Sequence, residues 1–220
     1  MNLSHIRGVV FDFDGTLAPN LDLPEMRRQV IELSASAGVP GDVVEDLFII
    51  EIIEAATAWL ACCNTSEATA FHQQAHDHIS NFELEAASRV EPFPEVRQLL
   101  SQLRDRHIRT AVVTRNCEQA VRNTFPDIDG YLDLVLARDN VEHYKPDPRH
   151  LQQALAGLGT DPATSLMIGD GRMDMQLGQQ LGLTCVGVLT GSHQEDVLIA
   201  AGADIVLEHV RDIGSRLIPC

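Results

Sequence analysis

Asp12 and Asp14 stand two positions apart where the apolar run "GVVFDFDGT" (8–16) meets a glycine turn. Asp170 closes a second such run, "SLMIGDG" (165–171), and Asp174 follows four residues later. Thr114 closes a third, "IRTAVVTRN" (108–116). Lys145, ahead of Pro146-Asp147-Pro148, is the single lysine among 16 lysines and arginines. Carboxylates gathered at one point repel one another, and one ammonium supplies too little positive charge to balance them. Hard oxygen donors without histidine or thiolate suit Mg²⁺, which keeps positions for water and a phosphate. A carboxylate can attack phosphorus, so Asp12 is the candidate nucleophile and an aspartyl-phosphate the expected intermediate. Asp14 is placed to give a proton to the leaving group and later to take one from water. Thr114 is placed to hold a phosphate oxygen, with amides at the start of the next helix helping to bind the anion. Asp-x-Asp-Gly by itself is a turn-forming sequence. Four elements in this order, each at a strand end or loop, carry the catalytic reading.

These residues meet only if the runs are neighbouring parallel strands, because sites in open parallel sheets form beyond the carboxyl ends. Two further runs, "TCVGVLTG" (184–191) and "ADIVLEHV" (203–210), have the same character. Helical patterns lie between the runs, at about 94–106, 117–125, 147–158 and 172–182. The alternation predicts an α/β fold, a doubly wound parallel sheet covered on both faces. Residues 18–90 break it. The stretch 41–63 predicts one helix, with Asp42 and Glu45 as its N-terminal capping pair. Asn64 with Glu67 predicts a following helix to about Arg89, and Pro24 with Glu25 suits the first turn of an earlier one. The expected organisation is an α/β core of 1–17 and 91–220 with an all-helical domain, 18–90, inserted after the first strand. Trp59 and its apolar neighbours are expected in the core of that insert.

The chain has 220 residues, 45% of them hydrophobic, enough for a sizeable core. Its net charge of −16, with no basic patch, argues against nucleic acid and anionic membranes as partners. Five cysteines, two of them adjacent and none in a CxxC, make neither a disulfide framework nor a zinc site. No apolar stretch has the length of a membrane span, and acidic residues come before any signal-peptide hydrophobic region could form. A reduced, cytoplasmic protein is expected. His72 and His76 have the i, i+4 spacing of metal ligands, with His78 close by. "HQQAH" lacks the glutamate of HExxH and the sequence offers no further ligand, so a solvated helix face is expected there. Cys117 begins the helix after Thr114 and is read as a buried, inert thiol. Residues 18–90 hold three arginines against twelve acidic residues, a net of −9, which reads as a solvated acidic surface.

"DFDGTL" (12–17), "VVTRN" (112–116), "KPDP" (145–148) and "IGDGRMD" (168–174) resemble the four motifs of the haloacid dehalogenase superfamily, the first and last being the specific ones. The resemblance covers the whole chain. The insert resembles the small cap of the phosphoglycolate phosphatase and β-phosphoglucomutase branch. The resemblance implies a Rossmann-like core with a helical cap. It implies Asp12 as nucleophile and Asp14 as general acid/base, with Asp12, the Asp14 main-chain carbonyl and Asp170 holding Mg²⁺. Thr114, Arg115 and Asn116 would bind phosphate. Lys145 would neutralise charge near the nucleophile, and Asp174 would orient Lys145 or metal-bound waters. Arg115 stands where asparagine is frequent in relatives, and Arg172 also departs from them. Each either faces the leaving group or pairs with surface carboxylates. The implied activity is a Mg²⁺-dependent phosphatase of a small phosphorylated metabolite. A phosphomutase and a catalytically idle binding protein are the alternatives, and the substrate is not fixed.

Overall fold

Gly8–Phe11 (β1) is buried along its whole length, as a strand covered on both faces must be. The computed structural model describes residues 3–217, so Cys220 lies outside it. Five further strands follow: Arg109–Val113 (β2), Leu134–Leu136 (β3), Ser165–Gly169 (β4), Thr184–Val188 (β5) and Ile205–Leu207 (β6). They form one sheet in the order β3-β2-β1-β4-β5-β6, with every pairing parallel. Phe11 pairs with Val112 on one side and Ile168 on the other. That register brings the residues after β1, β2 and β4 to one edge. The strand order reverses beside β1, where an open α/β sheet leaves a crevice. β3 was not anticipated. Three residues are too few for a readable pattern, and the strand is held by pairing with β2 and by Asp133, whose carboxylate accepts from Thr110 N–H at 2.8 Å.

The helices beside this sheet are Val96–Asp105 (α5), Glu118–Thr124 (α6), Pro148–Leu158 (α7), Arg172–Leu181 (α8), Glu195–Ala200 (α9) and Gly214–Leu217 (α10). Alternate residues of β1 serve opposite faces. Val9 and Phe11 pack with Leu99, Leu100 and Leu103 of α5, whereas Val10 packs with Leu151, Ala154 and Leu155 of α7. α7 starts on the Asp147 carboxylate, which accepts from Arg149 N–H at 2.9 Å, with Pro148 in its first turn.

The chain divides into two compact units, 1–20 with 87–220, and 21–86. The second holds Leu23–Ser36 (α1), Gly41–Val44 (α2), Ile49–Ala61 (α3) and most of Thr65–Ala87 (α4). Asn64 caps α4 by accepting from Ser66 N–H at 3.0 Å and donating to Glu67 at 2.9 Å. The single helix expected over 41–63 is instead α2 and α3. Asp46 lies between them at φ 56°, a left-handed conformation that ends a helix. Neither α2 nor α3 has a side-chain N-cap, so Asp42 and Glu45 do not cap this stretch. Trp59 is only partly buried. The inner face of α3 is made by Ile52, Ile53, Ala56 and Leu60, one helical stripe that Trp59 flanks. No helix among the described residues is long and apolar enough to cross a membrane.

Candidate active site

Lys145, in the loop between β3 and α7, donates from Nζ to Asp12 Oδ1 at 2.6 Å and to Asp174 Oδ1 at 2.8 Å. Asp12 follows β1 directly, and Asp174 lies in the first turn of α8. Asp12, Asp170 and Asp174 are all buried, and one carboxylate oxygen from each lies within 4.8 Å of the others. Asp170 follows β4, and its Oδ2 accepts from Ser192 N–H at 2.6 Å. Asp174 also accepts from Gly171 N–H at 3.2 Å, which fixes it in the turn that opens α8. Two of these three buried carboxylates thus share one ammonium.

Burial pushes the Asp12 carboxyl well above the usual carboxylate range; Lys145 opposes this, while Asp174, Asp170 and Asp14 add to it. Burial raises Asp170 as well, with Asp174 next, against the Ser192 hydrogen bond. Burial pulls the Lys145 ammonium down, but Asp12 and Asp174 outweigh it and hold it above its ordinary value. The cluster therefore carries more negative charge than Lys145 balances. Its donors are hard oxygens, and Mg²⁺ fits both the charge deficit and the donor type.

Asp14, one turn residue beyond, is partly exposed. Asn116 Nδ2 donates to both of its carboxylate oxygens, at 3.1 and 3.2 Å, and Thr114 Oγ1 stands 3.5 Å from Oδ2. Of the three residues expected on phosphate, Thr114 and Asn116 thus face Asp14, and Arg115 Nη1 lies 3.7 Å from Met173 Sδ. Two of the amides expected to bind an anion are already donated, Asn116 N–H to Thr114 Oγ1 at 3.0 Å and Glu118 N–H to Asp139 at 2.8 Å. Arg172 is exposed. Cys117 is buried, as expected.

Several supporting residues carry no sequence signal. Arg138, buried, donates to the Arg115 carbonyl at 2.5 Å, and its own N–H donates to the Asn116 carbonyl at 3.1 Å. Thr190 Oγ1 donates to the Gly15 carbonyl at 2.6 Å, tying the loop after β5 to the Asp-x-Asp-Gly turn. Gly15 sits at φ +78°, and a methyl group there would meet the Asp170 carboxylate at 2.7 Å. A methyl group on Gly191 would lie 1.9 Å from Asp170 Oδ2. Gly191→Ala must therefore displace that carboxylate. Where the carboxylate cluster holds a divalent ion, the expected result is a metal requirement raised about tenfold or more, with the fold kept. Metal titration of turnover beside circular dichroism checks this, and an unchanged requirement would exclude Asp170 as a ligand.

His150, in the first turn of α7, was also missed. Lys145 N–H donates to its Nδ1 at 3.1 Å, so Nδ1 is unprotonated and Nε2–H faces the Leu136 carbonyl at 3.2 Å. The neutral ring thus joins the Lys145 main chain to β3. Burial, with help from Lys145, lowers its pKa from 6.5 to about 4. A lowered folded-state pKa favours the fold above the unfolded value and loses that advantage as pH falls through the folded one. Stability should therefore drop between about pH 6.5 and 4, by about 3 kcal/mol from this group. Denaturant unfolding across that range checks it, with His150→Gln expected to flatten the slope. An equal slope in the variant would assign the loss elsewhere.

The family model for haloacid dehalogenase-like hydrolases matches residues 6–182. A phosphoglycolate phosphatase of Yersinia pestis is 28% identical over 216 residues, which cover 94% of this chain and 91% of that protein. The pyrophosphatase PpaX of Bacillus cereus is 30% identical over 147 residues, covering 66% of this chain and 65% of that protein. A crystal structure of a hydrolase from Pseudomonas syringae superposes with a TM-score of 0.66 at 20% identity, covering 96% of this chain and 97% of that one, a likeness of fold.

Proposed function

This chain belongs to the haloacid dehalogenase-like hydrolase family and is an enzyme, and from that premise we propose that it is a Mg²⁺-dependent phosphatase of a small phosphorylated metabolite. The observation that carries the reading is the Lys145 ammonium shared by Asp12 and Asp174 beside Asp170, with Asp14 two residues from Asp12. Relatives that match by sequence are a phosphoglycolate phosphatase and a pyrophosphatase, and both names describe hydrolysis of a phosphate compound.

Asp12 attacks phosphorus with a carboxylate oxygen, and the bond from phosphorus to the ester oxygen breaks. The leaving oxygen takes its proton from Asp14. Water then attacks the aspartyl-phosphate, Asp14 takes the proton back, and phosphate leaves with Asp12 restored. Asn116 Nδ2 holds the Asp14 carboxylate in place for both transfers, and the Thr114 hydroxyl, only 3.5 Å from Asp14, turns its one hydrogen to a phosphate oxygen. Lys145 fixes the rotation of Asp12 and offers its third hydrogen to the phosphoryl group. Asp12, the Asp14 main-chain carbonyl and Asp170 would hold Mg²⁺, which supplies positive charge to the phosphoryl oxygens. Asp174 positions Lys145.

Purified protein assayed against a panel of phosphorylated metabolites, with and without Mg²⁺, tests the reading. Phosphate release that requires the metal is expected. Turnover that persists in a chelator, or release of no phosphate from any ester including a generic aryl phosphate, would overturn it.

A further inference from the structure

α4 carries His72 and His76 one turn apart, and α3 brings Glu54 to them. All three residues belong to the helical unit. Glu54 Oε1 lies 3.4 Å from His72 Nε2 and 3.7 Å from His76 Nε2. The imidazole centroids are 4.4 Å apart with the rings tilted by 46°. One ligand atom from each of the three residues falls within 4.8 Å of the other two. We propose that Glu54, His72 and His76 form a second cation site, for a borderline first-row divalent ion such as Zn²⁺.

Geometry, donor type and charge argue for it independently. Ligands held about 2.0–2.1 Å from a tetrahedral Zn²⁺ lie about 3.3 Å apart, so the two Glu54 distances need almost no closure. Two imidazoles and one carboxylate are the donor set of open zinc sites, with a position left for water. Mg²⁺ prefers all-oxygen surroundings, so this site is chemically distinct from the Asp12 cluster. The face that bears the ligands is fixed from behind. Phe71, Ala75 and Ile79 on α4 and Ile53 on α3 are buried, so neither helix can turn the three side chains away without exposing its core. The side chains of Glu54, His72 and His76 are 54%, 42% and 24% exposed, so the cluster lies at the surface of this unit. The surplus of acidic residues over 18–90, a net of −9, draws cations to this unit. Sequence spacing alone gave two ligands and no third, because Glu54 lies 18 positions before His72.

This inference stands apart from the phosphatase reading. The full-length protein, stripped of metal, would be titrated with Zn²⁺ against a chromophoric chelator in excess Mg²⁺, which competes at the carboxylate cluster. One Zn²⁺ per chain is expected. His72→Ala, His76→Ala and Glu54→Gln should each weaken Zn²⁺ binding about tenfold or more. Co²⁺ in place of Zn²⁺ should give visible absorption of tetrahedral intensity in the parent protein, lost in the His72→Ala/His76→Ala variant. Circular dichroism establishes that the variants fold, and Glu54→Gln changes one charge while keeping the shape. Absence of Zn²⁺ binding, or Zn²⁺ binding undiminished in folded variants, would overturn the proposal.

Discussion

Lys145→Arg is expected to lower kcat/KM about a hundredfold, nearly as far as Lys145→Ala, because small misplacements beside reacting atoms have effects of that size. The loss corresponds to about 2.7 kcal/mol of transition-state stabilisation. Net charge is kept, so the effect isolates geometry. Nζ donates to Asp12 at 2.6 Å and to Asp174 at 2.8 Å from a residue only 4% exposed. An ammonium can serve two carboxylates and a phosphate oxygen from one atom. A guanidinium spreads its donors over a rigid plane and needs more volume than this buried position offers. It must push Asp12 or Asp174 aside. Steady-state kinetics on purified variants, with circular dichroism to establish folding, checks the expectation. If Lys145→Arg keeps most of the parent kcat/KM, the geometric argument fails and the lone lysine is an accident of codon usage.

Asp12→Asn should reduce turnover by about a thousandfold or more, to the background of the assay, because an amide is a poor nucleophile. The fold should survive. Burial already disfavours the Asp12 charge, and Asp174, Asp170 and Asp14 repel it. A neutral side chain of the same shape relieves that repulsion, while Lys145 keeps Asp174 as a partner. Thermal unfolding without metal is therefore expected at or above the parent temperature, which separates lost chemistry from lost structure. Parent-like rates from the pure variant would sink covalent catalysis at Asp12. Rapid-quench detection of an acid-stable phosphoryl adduct in the parent, absent in Asp12→Asn, is the complementary measurement.

The sequence by itself determined the sheet's main strands and the residues at their ends. Buried parallel strands are short apolar runs; glycine turns mark the stop after Phe11-Asp12 and Gly169-Asp170, and the polar Thr114-Arg115-Asn116 marks it after Val113, so all three are local signals. The rule that parallel strands open their sites at one edge then converts chain order into convergence. Lys145 was legible because it is the only lysine. The supporting contacts were not legible. Ser192 reaches Asp170 across 22 positions, Asn116 reaches Asp14 across 102, and Arg138 meets the Arg115 carbonyl across 23. Such pairs leave no periodic trace, because a hydrogen bond fixes distance in space and not separation along the chain. His150 takes its tautomer from the Lys145 amide and the Leu136 carbonyl, neither of which a residue type encodes. The break at Asp46 was hidden by apolar residues at helical spacing on both sides of it. Glu54 became a neighbour of His72 and His76 only through the packing of α3 on α4. Local chemistry therefore named the candidate reacting groups, and tertiary packing decided how each is held, since orientation comes from partners that only folding brings together.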